Sequence, residues 1–355
     1  MNEPRVLPDA LLRFCCGCLE KSGLAGSAAQ ITAENLVFAN LRGVDSHGVI
    51  RLKVYVDRLQ AGGFKAGAQP RVVADDGSTA LLDGEGGMGQ VTGMAAMELA
   101  LAKAEQNGIG WVTVRNSNHF GAAAFYALRA VDRGLIGFAT TNAGPTMAPS
   151  GGREARLGNN AFAITIPAHP HPPLVLDMAT GAVAWGKIFV AQQKKQKIPT
   201  TWALDRHGVP TDDPEAAARG GLIQPMAGYK GYGLSLVLDI ITGVLSGGAF
   251  STGVRTLYRE LESPAGIAHT CAALRIDRFI PLPIFQQRIG EMVELLRSCP
   301  TAPGAERVYV PGELEHATAQ LRRAEGIPIH RVLLDELNAL AAELGVAPLR
   351  MREEK

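Results

Sequence analysis

The run Asp45-Ser46-His47-Gly48, with Arg51 four positions beyond the histidine, is where residue type and spacing speak most directly of chemistry. An imidazole can give or take the proton of a carbonyl or alcohol oxygen, and a guanidinium fork beside it can hold a carboxylate. If Asp45 or Ser46 caps a helix, His47 and Arg51 share one face near its positive end, where the dipole also favours an anion. Those positive surroundings lower the histidine's pKa. The same residues also suit an ordinary cap followed by a surface histidine and a snorkelling arginine.

A second polar knot, Asn116-Ser117-Asn118-His119-Phe120-Gly121, ends a predicted strand and leads into a helix starting near Ala122. Backbone amides at such a junction suit a phosphate or carboxylate, although these are also plain turn residues. Leu176-Asp177-Met178-Ala179 sets a carboxylate at a strand end, able to hold a ribose hydroxyl or to cap a helix. The run Gly84-Glu85-Gly86-Gly87-Met88-Gly89 spells a dinucleotide-binding fingerprint, but the next strand ends in Val114-Arg115-Asn116, without the acidic residue that mechanism needs. Arg115 would suit a 2′-phosphate instead, so both a fingerprint and a simple glycine turn stay open.

These groups must be placed by a framework of helices and short strands. Helical spacing predicts a first helix from Asp9 to about Gly23, a second from Ser27 to Leu41 and a third from Asp45 bearing Leu52, Tyr55, Val56 and Leu59. From about Ala74 the texture changes to β-branched runs between glycine turns, the pattern of an α/β or α+β core. Candidate strands are Gly110–Val114, Ile136–Thr141, Phe162–Ile166 and Leu174–Leu176, with a helix over Gly231–Leu245. Amphipathic helices return after Pro281 and Pro283, over Phe285–Leu296 and Leu333–Leu344. The expected division is a helical segment 1–75 packing with a helical segment 281–355, around an α/β core 76–280 that carries the sites.

Composition narrows the partners. Lys and Arg number 35 against 34 Asp and Glu, so the net charge of +1 gives no field to gather nucleic acid or anionic lipid. No apolar run has the length of a membrane span or the flanks of a signal peptide, which points to the cytoplasm. Cys15, Cys16 and Cys18 fall on one predicted helix, and Cys271 and Cys299 stand alone, so neither a disulfide framework nor a metal site is expected.

Taken together, these segments resemble the malate/L-lactate dehydrogenase family of the second type, a non-Rossmann group of NAD(P)-dependent oxidoreductases. The resemblance covers almost the whole chain, through Asp45–Gly48 with Arg51, Asp83–Gln90, Asn118–Gly121, Leu176–Ala179, Ala227–Gly233 and Val310–Glu313. It implies a mixed-sheet α/β core with a helical lobe from both termini, and hydride transfer between a small 2-oxo acid and a 2-hydroxy acid with NAD or NADP. A reductase of cyclic imino acids is the alternative, and a carboxylate- or nucleotide-binding protein that has lost catalysis is a third. The resemblance implies that His47, supported by Ser46, is the proton donor and that Arg51 holds the substrate carboxylate. In some relatives the position of His119 is the acid-base group. The nucleotide is implied to lie near His119, Phe120, Gly121, Ala122, Ala123, Asp177, Met178, Ala179, Tyr229, Lys230, Pro311, Gly312 and Glu313, in a homodimer with the site close to the subunit interface.

Departures from the family pattern bear on substrate. Asn159 stands where a threonine commonly touches substrate, and Trp185-Gly186 stands where an Arg-Gly pair is common. Lys187 follows, where the cyclic-imine branch prefers an acidic residue. An indole on the substrate wall offers a face and one N–H donor, so Trp185 predicts that compact monocarboxylate oxo acids or cyclic imino acids are favoured over oxaloacetate.

Overall fold

The computed structural model describes residues 3–351. Its centre is a seven-stranded mixed sheet in the spatial order 71–76, 79–83, 109–117, 267–275, 135–141, 161–166, 174–179. Only the pair Thr79–Asp83 and Ile109–Ser117 runs parallel, because helix α4 (Gly89–Asn107) crosses over between them; every other neighbour is antiparallel. The central strand is Ile267–Arg275, which leaves Ile267–Ala273 buried on both faces. It is absent from the candidate strands of the sequence because alanines, His269, Thr270 and Cys271 give it neither alternation nor a β-branched run.

Helix α4 and the short α5 (Ala124–Val131) cover one face of the sheet, burying Ala96, Met97, Ala100, Leu101, Phe125 and Tyr126 against Val112, Val114 and Ala139. On the other face lies α8 (Tyr229–Asp239), continued by a π-helical turn Ile240–Val244, whose Ile241 carbonyl accepts from the Thr270 hydroxyl at 2.7 Å.

A third helical layer is built from α1 (Pro8–Lys21), α2 (Gly26–Leu41), α3 (Leu52–Ala61) and, from the far end of the chain, α11 (Arg331–Leu344). They share one apolar cluster that includes Leu11, Phe14, Leu36, Tyr55, Leu337 and Leu340. Cys15 and Cys18 are buried within it, and burial raises both thiols, Cys18 to about 11. Helix α9 (Leu282–Arg297), expected with this lobe, instead sits beside the sheet. Its Leu282 packs on Gly134, Glu294 reaches His171 at 3.6 Å, and Arg297 reaches the Glu313 carboxylate at 3.2 Å. Helix α10 (Glu313–Glu325) runs back to α2.

Residues 183–224 form a small outlying unit in which α6 (Trp185–Gln193), α7 (Pro214–Ala218) and three two-residue strands enclose Val183, Ile188, Ala191, Ile198, Ala203 and Ala217. Among the described residues no helix is long and apolar enough to cross a membrane.

Candidate active site

The helix expected across Asp45 to Arg51 does not form. Two 3₁₀ turns, Asp45–His47 and Val49–Arg51, are separated by Gly48 in an extended conformation (φ −83°, ψ −153°), and α3 begins only at Leu52. The cause is Asn40 at the end of α2, 3% exposed. Its Oδ1 accepts from the Val49 amide at 2.8 Å and its Nδ2 donates to Asp45 Oδ1 at 2.6 Å. A Cβ on Gly48 would stand 2.3 Å from the Asn40 side chain, so only glycine fits the bend. Asp45 caps nothing. Its carboxylate is gripped by both Arg322 nitrogens, at 2.7 and 3.0 Å, from helix α10.

This strut presents Ser46, His47 and Arg51 together. Ser46 Oγ lies 3.0 Å from His47 Nδ1, which leaves Nε2 as the free ring nitrogen. The Arg51 Nε donates to the Ser46 carbonyl at 2.7 Å, and its guanidinium lies over the Tyr258 ring, 5.4 Å from the centroid. Burial, and then the Arg51 charge, push His47 down to about 4, so the ring is neutral at pH 7. Arg51 has no carboxylate partner among the described residues.

His119 meets His47 from the opposite side. The two rings stack with centroids 5.6 Å apart and 19° between planes. Its Nδ1 is 2.7 Å from the hydroxyl of Tyr55, which α3 buries completely; burial holds that phenol well above its usual range, so it stays protonated. His119 is also driven down, by burial first and then by His47 and Arg51. Tyr55 stood in the sequence only as part of a core stripe. The available signal was that a buried tyrosine hydroxyl needs a partner. Arg322, 277 residues from Asp45, had no signal.

The knot around His119 is held from within. Asn118, fully buried, donates to the Gly86 and Gly87 carbonyls at 2.9 and 2.8 Å and accepts from the Ala265 amide at 2.8 Å. Phe120 stacks on His269 at 4.5 Å and 5°, and His269 spans Ser117 and Thr141 with 2.9 Å contacts from its two nitrogens. Gly121 has φ +78°, and a Cβ there would stand 1.8 Å from Asn35 Oδ1, the atom that accepts from the Ala122 amide.

The same packing answers the glycine run. The Gly84, Gly86 and Gly87 amides donate to Arg115, Asn116 and Gly84 carbonyls at 2.8 Å each, and Asp83 accepts from Glu85, Arg115 and Asn116. Those amides are spent on the fold and the run is a structural turn. Arg115 is ion-paired to Asp83 at 3.0 Å.

The segments implied around a nucleotide converge on the edge strand Leu174–Ala179. Asp177 Oδ2 accepts from the Ala124 amide at the start of α5, 3.2 Å away, which ties the strand to His119–Ala123. Though part of the residue faces solvent, burial of its carboxyl pushes Asp177 up to about 6. Val175 donates to the Pro311 carbonyl at 3.0 Å, and Gly312 (φ +88°) leaves no room for a Cβ against Val175. Glu313 is held between Arg297 and Arg307 at 3.2 and 2.7 Å. Thr180 donates its amide to the Asn159 carbonyl and accepts from Met226, which brings in the turn before Tyr229 and Lys230. That turn, with positive φ at Ala227 (48°) and Gly228 (64°), leads into the amino end of α8, whose first-turn amides offer a site to an anion. The Thr180 hydroxyl is buried without a partner. An orphaned donor and an open helix end beside one strand fit a dinucleotide.

Trp185 does not line the cavity beside Ser46. Its indole packs on the 183–217 cluster and on Phe189, ring centroids 5.9 Å apart, whereas Gly186 faces the cavity beside Ser46. Of the lysines after α6, Lys197 is paired to Asp212 at 2.7 Å.

Comparison with known proteins places this geometry in context. A family model described as malate/L-lactate dehydrogenase matches residues 6–338. A malate dehydrogenase of Pyrococcus horikoshii is 42% identical, over 98% of each chain, and its solved structure superposes with a TM-score of 0.90 over 97% of each. An L-sulfolactate dehydrogenase of Methanocaldococcus jannaschii is 36% identical over 97% of this chain and 96% of the relative. The structure of a Δ1-piperideine-2-carboxylate reductase from Pseudomonas syringae superposes with a TM-score of 0.85 at 27% identity, over 95% of this chain and 99% of that one.

Proposed function

The chain belongs to the malate/L-lactate dehydrogenase family, and on that premise we propose that it interconverts a small 2-hydroxy acid and the matching 2-oxo acid with NAD or NADP. Arg51 carries this reading. It is a half-buried guanidinium with no carboxylate partner among the described residues, standing beside two stacked, neutral histidines. A substrate carboxylate on Arg51 sets the oxygen of the adjacent carbon against those rings.

The two rings divide the work by their partners. When Ser46 accepts from His47 Nδ1–H, Nε2 keeps its lone pair and takes the hydroxyl proton during oxidation. Tyr55 stays a phenol and donates to His119 Nδ1, so His119 carries its proton on Nε2 and donates to the same substrate oxygen. A nicotinamide nucleotide held beside them would supply the hydride acceptor or donor for the carbon bearing that oxygen. In the reducing direction His47 returns its proton, and a carboxylate on Arg51 makes its protonation easier by cancelling the charge that lowers it. Phe120–Ala123, Asp177–Ala179, Tyr229 with Lys230, and Pro311–Glu313 would hold the nucleotide.

Nicotinamide absorbance tests the reading against oxaloacetate, pyruvate and a cyclic imino acid with each reduced cofactor. Turnover of at least one 2-oxo acid is expected. Turnover of the imine alone overturns it.

We read the enzyme as a cytoplasmic homodimer, working where nicotinamide nucleotides are pooled. The dimer is supported by an apolar stripe along α8 and its π turn, where Val237, Ile240 and Val244 are 51%, 44% and 48% exposed at helical spacing. Light scattering at micromolar concentration should give twice the 37.5 kDa chain mass.

A further inference from the structure

A cavity of about 630 Å³ opens beside the catalytic turn, lined by Asp45 and Ser46 of that turn, by Gly186 and Lys187 of α6, and by Ile198 and Trp202. Neither His47 nor Arg51 lines it. If the substrate carboxylate is on Arg51 and the reacting oxygen is at the histidines, the remaining substituent has this space to enter.

Three charged side chains border the cavity, and two are already neutralised. Asp45 is held by Arg322, and Lys197 by Asp212. Lys187, in the first turn of α6, has no carboxylate partner among the described residues. The lining it shares includes the apolar Val190, Ile198 and Trp202. A lone ammonium on a flexible stem, facing an apolar pocket, suits a compact anion better than an alkyl group, because filling the pocket expels the water that otherwise screens the charge.

We infer that Lys187 is the specificity-determining residue for a second anionic group, a carboxylate or sulfonate one carbon beyond the reacting centre. The inference rests on the proposed 2-oxo acid reaction. It also reverses the preference drawn from Trp185, since that indole leaves the cavity to pack on Phe189.

The test compares kcat/KM for oxaloacetate, 3-sulfopyruvate and pyruvate in the full-length enzyme, Lys187→Gln and Lys187→Glu. Lys187 is exposed, so neither change removes a buried contact. The ratio of oxaloacetate to pyruvate should fall roughly 10–100-fold in Lys187→Gln, the worth of a hydrogen bond between charged groups, and further in Lys187→Glu. Whether sulfopyruvate falls with oxaloacetate tells which anion the site prefers. An unchanged ratio for both dianions overturns the inference. Binding of malate, followed by thermal shift with reduced cofactor present so that no turnover occurs, separates it from the reaction itself. No turnover of any 2-oxo acid, with malate binding still weakened in Lys187→Gln, would sink the proposed reaction and keep the anion site. Malate binding equally well to both proteins would sink the anion site, whatever the turnover.

Discussion

His47 rides on a turn fastened from outside, and His119 on a knot fastened from within. The turn depends on Asn40 and on an ion pair whose Asp45 side is 51% exposed and whose Arg322 comes from helix α10. The knot depends on Asn118, Ser117, His269 and Asn35, all fully buried and joined by neutral hydrogen bonds. Both deliver a ring to the same 5.6 Å stack. The difference teaches where stability and activity are carried separately. Exposed ion pairs are screened and add little to stability, whereas an orphaned buried donor or acceptor costs its whole desolvation. The turn should therefore answer to mutation mainly in rate, and the knot in stability.

The strongest way to break this comparison is to remove the rings themselves. His47→Asn should lower kcat by about 10²–10⁴-fold, the usual worth of a positioned acid or base, with a melting temperature near that of the parent. His119→Asn should lower kcat and also destabilise, because it strands the buried Tyr55 hydroxyl. Steady-state kinetics beside thermal melts decide it. Equal stability losses in the two variants would erase the distinction between turn and knot.

Next in size is Asn118→Ala. It leaves the Gly87 carbonyl and the Ala265 amide without their partner, while the Gly86 carbonyl keeps the Lys65 amide, at roughly 1–3 kcal/mol for each orphaned group that water cannot reach. Urea unfolding should show a loss of several kcal/mol. A loss below about 1 kcal/mol would mean that water replaces the asparagine and that the knot is not a sealed unit.

Much of this was legible in the chain. Ser46, His47 and Arg51 stand out because their chemistry is local in sequence, and the Asn118–Gly121 knot because a strand-to-helix junction has its own residue signature. The geometry of the first was misread, since helical spacing cannot reveal that Asn40 occupies the place a Gly48 side chain would need. The central strand was invisible because its polar residues are satisfied by partners far along the chain, His269 by Ser117 and Thr141, Thr270 by Ile241. The place of Trp185, where relatives commonly carry arginine, suggests the substrate wall. A large ring at the start of α6 is free to turn toward Phe189, and no sequence pattern fixes that rotation.

The strut offers a smaller effect that sharpens the comparison. Arg322→Ala removes both bonds to Asp45 and the hold on the Asn40 carbonyl, so the turn should loosen and kcat fall about tenfold. Stability should change by no more than ~1 kcal/mol. Arg322→Lys keeps the charge without the fork and should recover only part of the rate. If it restored the full rate, charge alone would set the turn.

The most gradual effect is on pH dependence, and its sign follows from which protons each state binds. His269 in the knot is fully buried, and burial pushes it down to about 3 against an ordinary 6.5, while His47 in the turn lies at about 4. The stability that comes from keeping a ring neutral is fully present above pH 6.5. It is lost as pH falls toward the folded value, because the unfolded chain binds the proton first. Asp177 works the other way. Its carboxyl, raised to about 6 from 3.8, contributes stability that is present below 3.8 and lost as pH rises through 6, so it partly offsets the histidines in acid. Replacing His269 with Gln should cost stability at pH 7.5, yet make the fall between pH 6.5 and 4 shallower by up to one proton, about 1.4 kcal/mol per pH unit. Urea unfolding at pH 7.5, 5.5 and 4.5 measures that slope. In the same range the turn should register in rate: kcat/KM for hydroxy-acid oxidation should stay level from pH 8 to 5.5, since His47 remains an unprotonated acceptor until about pH 4. A slope unchanged in His269→Gln, or an oxidation rate already halved at pH 6.5, would show that the ring in question is not held neutral by its burial.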